Sequence, residues 1–158
     1  YDIPLSFKAF PNSSIRMLAK KELAKIPLLG KGMSAGEFPF IDRKNRYQAI
    51  KDLAYAKQLM ESGIVIWVAP EGTRSKDGKL ATFKKGSFIT AIDAKATIIP
   101  IGIRGANNIL PARTFNIHLN QKAEIHIGKP IDASQFSMET KNELVQQTYQ
   151  AIKELIGE

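Results

Sequence analysis

The run IVIWVA, Ile64 to Ala69, constrains this chain more than any other stretch. It is apolar throughout and rich in β-branched residues, which is the pattern of a strand covered on both faces. Two further runs, TIIPIGIRG (Thr97 to Gly105) and AEIHIGKPI (Ala123 to Ile131), read the same way. SIRMLAK (Ser14 to Lys20) and FPFID (Phe38 to Asp42) are shorter strand candidates. Pro39 demotes the second to an edge or irregular position.

Between these runs the periodicity turns helical. Residues 45–62 place Ile50, Leu53, Ala54 and Met60 near one face, with Gly63 where a C-terminal cap belongs. KGSFITAIDAKA (Lys85 to Ala96) predicts a short helix. In the last segment Thr140 and Glu143 have the spacing of a capping box. Leu144, Val145, Thr148, Ile152, Leu155 and Ile156 then form one helical stripe. Strands separated by helices predict an α/β fold: a mixed, largely parallel central sheet with helices on both faces. The 158 residues suit a single domain, and no repeat, low-complexity tract or linker divides them. In such sheets ligands gather beyond the carboxyl ends of the strands.

The net charge of +8 favours anionic partners: nucleic acid, a phospholipid surface or phosphorylated small molecules. Composition alone does not choose among them. The chain has no Cys, so disulfides and thiolate metal sites are excluded. No stretch reaches the ~20 apolar residues that span a bilayer, and no signal-peptide pattern opens the chain. It begins on Tyr1 rather than Met and is read as part of a longer polypeptide.

Directly after the first run stands PEGTRS, Pro70 to Ser75. Gly72 lets the backbone turn tightly and approach a ligand. Thr73 supplies a hydroxyl, and Arg74 a planar fork that matches phosphate oxygens. Glu71 only accepts, so it suits a ligand hydroxyl or the fixing of Arg74. Together they fit a phosphate carried on a polyol. A solvated Glu71–Arg74 ion pair on a surface turn is the plainer alternative. The preceding strand, the basic FKKG (Phe83 to Gly86) and the positive chain weigh against it.

Gly72 to Lys79 mimics a P-loop, but five residues separate its glycines and Leu80 follows Lys79, so nucleotide hydrolysis is rejected. Arg43 closes the apolar run FPFID as Arg74 follows IVIWVA, and the two are expected to converge on one phosphate. Lys20 and Lys21 add weaker candidate donors. His118 and His126 are the only histidines, and neither has an acid at a spacing that suggests a catalytic dyad. Metal-ligand spacing and a G-x-S-x-G elbow are both absent. Paired exposed aromatics and a nucleic-acid motif are missing too, so no nucleic-acid partner is expected.

These blocks resemble the glycerolipid acyltransferases, and most closely the 1-acyl-sn-glycerol-3-phosphate acyltransferases, over nearly the whole chain. PEGTRS is similar to the family block that binds the acceptor's glycerol phosphate. Thr73, where a glycerol 3-phosphate branch has a second Gly, favours the lysophosphatidate branch. FPFIDR (Phe38 to Arg43) resembles the second acceptor block, and TIIPIGIRG the block with a central Pro. AKKEL (Ala19 to Leu23) and IGKPI (Ile127 to Ile131) are weaker matches. Asp2 in YDIPLS resembles the Asp of the family's H-x-x-x-x-D signature, whose His would stand five residues earlier, upstream of Tyr1.

The resemblance implies a single acyltransferase domain that starts inside this motif, and a chain inactive by itself for want of the His. It implies transfer of an acyl group to lysophosphatidate from acyl-CoA or an acyl-carrier protein. Those donors are substrates; no cofactor or metal is expected. Asp2 would orient the catalytic His. Arg74, Arg43 and Lys20 would clamp the phosphate, with Glu71, Gly72 and Thr73 around the glycerol. An anionic membrane, at its cytoplasmic face, is the expected working surface. Another lysophospholipid or lyso-aminolipid acceptor, or an inert anionic-lipid-binding module, are the competing expectations.

Overall fold

The computed structural model describes residues 2–73, 79–110, 114 and 116–158, with residues 2–4 described by backbone alone. Helix α1 (Asp2–Ala9) leads into strands β1 (Ile15–Met17) and β2 (Ala19–Lys20). A 3-10 turn (Lys21–Lys25) and helix α2 (Leu29–Ala35) follow, then β3 (Phe40–Ile41), α3 (Arg46–Glu61) and β4 (Val65–Trp67). The second half holds α4 (Gly86–Asp93), β5 (Thr97–Ile98), β6 (Ile101–Arg104), α5 (Ala106–Ile109), β7 (Glu124–Ile127), β8 (Ile131–Asp132) and α6 (Lys141–Ile156).

Residues 15–20 form one extended segment that changes partner midway. Its first half pairs in parallel with β4 and its second half in parallel with β3. The Leu18 amide still bonds the Trp67 carbonyl at 3.0 Å, whereas the Ala19 amide already bonds the Pro39 carbonyl at 2.9 Å. Because both partners run parallel to this segment, β2, β3 and β4 all end toward the same side.

The other ladders are antiparallel: β5 with β8, and β6 with β7. The fold is therefore mixed α/β, but among the described residues the parallel ladders do not predominate. Two prolines explain the difference from the expected unbroken strands. Pro100 interrupts TIIPIGIRG and Pro130 interrupts IGKPI, since neither can donate to a ladder. Between the pairings Ile101↔Ile127 and Ile98↔Ile131 the register slips by one residue, as in a β-bulge.

The three helices that periodicity predicts form as α3, α4 and α6, with one exception in detail, whereas α1, α2 and α5 were not expected. Asn45 caps α3 by accepting the Gln48 amide at 3.1 Å. At its other end Gly63 has φ +89°, and the amides of Gly63 and Ile64 bond the carbonyls of Met60 and Leu59. That is a complete Schellman cap. The expected capping box of α6 does not form. Thr140 Oγ1 instead accepts the Ser137 amide at 2.8 Å, serving the turn before the helix.

The core gathers α4, α6 and the β5–β8 pair around Phe83, Phe88, Ile92, Ile131 and Leu144. Phe83 stacks on Phe88 at 6.1 Å and meets Tyr149 edge-on at 5.1 Å. The first run departs from its expectation of burial on both faces. Only Val65 to Trp67 pair as strand, Val65 is half exposed, and the run borders a cavity of about 640 Å³.

Candidate functional site

β4 ends at Trp67, and the chain turns within five residues. The Gly72 amide bonds the Ala69 carbonyl at 3.0 Å, and Gly72 itself adopts φ +75°. An added Cβ there would meet nothing closer than Arg43 Nη1 at 3.5 Å. The demand for Gly is therefore one of backbone conformation rather than of space. This left-handed turn presents the Gly72 carbonyl to Arg43, whose Nη1 donates to it. FPFIDR and PEGTRS, distant in sequence, thus meet through one hydrogen bond.

The turn is held from its far side as well. The Lys84 amide bonds the Pro70 carbonyl at 2.8 Å, and Glu71 Oε2 accepts the Ala81 amide at 2.9 Å. Phe83 in the core anchors this return strand of the loop. The Glu71 carboxylate therefore braces the loop, a role its sequence position did not disclose. The Lys84 Cγ lies 3.6 Å from a Cβ built on Gly72, so FKKG places a lysine stem beside the turn. Arg74 lies outside the described residues. Thr73 is exposed at the last described position before it.

Arg43 leaves β3 two residues past its end. Desolvation lowers the affinity of its guanidinium for a proton and the Glu22 carboxylate raises it, yet the group remains a cation at any working pH. The preceding residue, Asp42, sets the geometry. Its Oδ1 accepts the amides of Lys44 at 3.0 Å and Asn45 at 3.3 Å, its Oδ2 meets Lys21 Nζ at 3.3 Å, and its own amide donates to Asp52 at 2.8 Å. The Lys44 amide, then Lys21, hold the Asp42 carboxyl below the usual carboxylate range. Lys21 is thus spent on Asp42. Lys20 pairs across the ladder with Ile41 and is exposed, at the same end as Arg43. Arg16, which the sequence did not mark, lies over the Phe38 ring at 5.7 Å and fastens the FPFIDR block to β1.

Asp2 begins α1, which packs against β7. Its side chain lies outside the description, and so does any meeting with Arg43. Phe10, just past α1, lines the same cavity as Pro70 and Glu71. His126 has an unforeseen acidic neighbour: its Nε2 lies 3.2 Å from Glu124 Oε2. Alternation along β7 puts these two residues on one face, a relation that spacing in sequence does carry. Glu124 also meets Lys122 at 2.5 Å, and that ammonium leads in lowering its pKa. His126 pairs across to Gly102 of β6, in a different ladder from the one that carries Arg43.

Comparison with known proteins gives this arrangement a context. The profile of a family described as Acyltransferase matches residues 1–104. An uncharacterized acyltransferase of Schizosaccharomyces pombe is 36% identical over 153 residues, covering 94% of this chain and 53% of that protein. A chloroplastic 1-acyl-sn-glycerol-3-phosphate acyltransferase of Arabidopsis thaliana is 31% identical over 77% of this chain and 34% of its own length. The crystal structure of the 1-acyl-sn-glycerophosphate acyltransferase of Thermotoga maritima superposes with a TM-score of 0.69. It is 28% identical, over 89% of this chain and 55% of that one. The chain spans about half or less of the length of these proteins.

Proposed function

The chain belongs to the acyltransferase family, and on that premise we propose that it binds the phosphate-bearing acceptor of an O-acyl transfer, 1-acylglycerol 3-phosphate. The observation that carries the reading is the contact of Arg43 with the Gly72 carbonyl. It puts a permanent cation against the turn that leads into Arg74. A guanidinium has five N–H donors, and the carbonyl takes one of them. Charge-assisted bonds to phosphate are about twice as strong as neutral ones. Arg43 can thus brace the turn and still grip an anion.

In this reading Arg43 and Arg74 clamp the phosphate, with Lys20 adding charge at the rim. Thr73 orients the glycerol, while Glu71 fixes the loop that carries both. Where the family signature places a His five residues before Asp2, that His would take the proton of the free glycerol hydroxyl, and Asp2 would hold its imidazole in the productive tautomer. The hydroxyl oxygen bonds to the thioester carbonyl carbon, the C–S bond breaks, and the thiol of CoA or acyl-carrier protein leaves with a proton. Phosphatidate is the product. The chain has no Cys to form an acyl-enzyme, which favours direct transfer.

Both substrates carry hydrocarbon. The cavity of about 640 Å³ is lined chiefly by apolar residues, among them Ile66, Phe83, Phe88 and Ile101, and it reaches Pro70 and Glu71. It supplies room for an acyl chain beside the turn. The basic surface suits an anionic membrane and an anionic donor alike.

The test is acceptor kinetics in the full-length polypeptide. Arg43→Ala should lower kcat/KM for 1-acylglycerol 3-phosphate by roughly 10- to 10²-fold, the cost of a lost charged hydrogen bond of about 1.5–3 kcal/mol. A neutral monoacylglycerol should be used no better by the wild type than by the variant. Unchanged kinetics with the phosphate acceptor would overturn the assignment, and a panel of lysophospholipids would name the headgroup.

A further inference from the structure

We propose that the segment from the end of β2 into the first turn of α2 is a wedge that docks this molecule on an anionic lipid surface, with Ile26, Leu28 and Leu29 entering the lipid. The proposal rests on the acyl-transfer reading only in giving that surface a purpose.

The wedge stands out by exposure and by backbone conformation together. Leu28 is 86% exposed, with Ile26 and Leu29 nearly half exposed beside it. Single exposed leucines are ordinary. Here three large aliphatic residues share four positions. Leu28 also sits at φ +63° and ψ −54°, while the Leu29 amide bonds the Pro27 carbonyl at 2.7 Å. This is the rare, strained form of the γ-turn, built around a β-carbon-bearing residue where glycine would be relaxed. Strain of this kind persists only where the surroundings enforce it.

The surroundings here do so. The Gly30 and Gly32 amides bond the Ile26 and Leu28 carbonyls, both at 2.8 Å. Gly30 packs so closely that a Cβ would stand 2.1 Å from the Ala24 carbonyl oxygen. The tip is thus clamped between the 3-10 turn and α2, pointing outward.

Charge identifies the occupant. Residues 20–31 carry Lys20, Lys21, Lys25 and Lys31 against a single acid, Glu22. Lys21 is paired with Asp42 and Glu22 with Lys44, whereas Lys20, Lys25 and Lys31 have no ion pair among the described residues. An apolar tip in a segment with three ammonium groups outside any ion pair among the described residues fits anionic headgroups over hydrocarbon. Lysines near such a surface each strengthen attachment, and salt weakens it. Lys21–Asp42 and Lys44–Glu22 also tie this segment to the end of β3. These pairs bind residues on either side of Arg43 to the segment that carries the tip.

The 158-residue chain should be sedimented with phosphatidylcholine vesicles with and without phosphatidylglycerol. Wild type should pellet with the anionic vesicles and be released by salt. Leu28→Gly removes the side chain and relaxes the turn. It should bind roughly tenfold more weakly while its Tm holds or rises, which separates lost contact from lost folding. With no native Cys, Leu29→Cys and Glu61→Cys each accept one polarity-sensitive label. The label at 29 should shift to the blue on vesicle addition and that at 61 should not. Wild-type binding by Leu28→Gly, or a label at 29 that stays in water while the protein pellets, overturns the wedge and leaves the acyl-transfer reading to its own kinetic assay. Equal binding to neutral and anionic vesicles, or none to either, also overturns it.

Discussion

Arg43 meets two demands at once, since the bond that steadies the Gly72 carbonyl comes from the cation assigned to the phosphate. Arg43→Lys keeps the charge but not the planar fork. It should recover part of the binding lost in Arg43→Ala, seen as a lower KM with kcat little restored. Glu71 separates differently. Glu71→Ala strips the Ala81 amide of its acceptor and should cost about 1 kcal/mol in denaturant unfolding; Glu71→Gln retains an acceptor and should recover most of that. Asp42 gives a pH signature. Its depressed pKa means that its bonds contribute fully above the usual carboxylate range and are lost as pH falls through the depressed value. Lys21→Met should raise the Asp42 pKa in an NMR titration, yet leave it below the usual range because the Lys44 amide remains.

Among the elements, caps and breaks decide more than runs. Gly63→Ala meets no steric obstacle, so its expected loss of about 1–2 kcal/mol is the left-handed backbone alone, measurable by thermal or denaturant unfolding. The helices α3, α4 and α6 were legible in the sequence because periodicity and stop signals agree, as where Asn45 and Gly63 bracket α3, whereas α2 and α5 are too short to show a period and α1 was not expected. Strand direction was less legible. Apolar runs record burial, not orientation, and the prolines at 100 and 130 turn two long runs into four short strands with a slipped register. Thr140 shows the same ambiguity at one hydroxyl, which the preceding turn claims before the helix does. The candidate site was half legible. Residue chemistry pointed to Arg43 and to the turn at Gly72, which meet, but the brace from Glu71 to Ala81 joins positions ten apart that no short pattern relates.

Over the whole molecule, the clustered core of α4, α6 and the β5–β8 pair lies on elements other than the segment between β2 and α2. Leu144 is fully buried where α6 joins the core. Leu144→Ala should cost about 2–5 kcal/mol and leave vesicle binding intact at temperatures where the variant stays folded. The bond between the Lys84 amide and the Pro70 carbonyl is made by main-chain atoms alone, so this closure of the turn asks nothing of the Lys84 side chain and leaves its ammonium free to vary without reopening it.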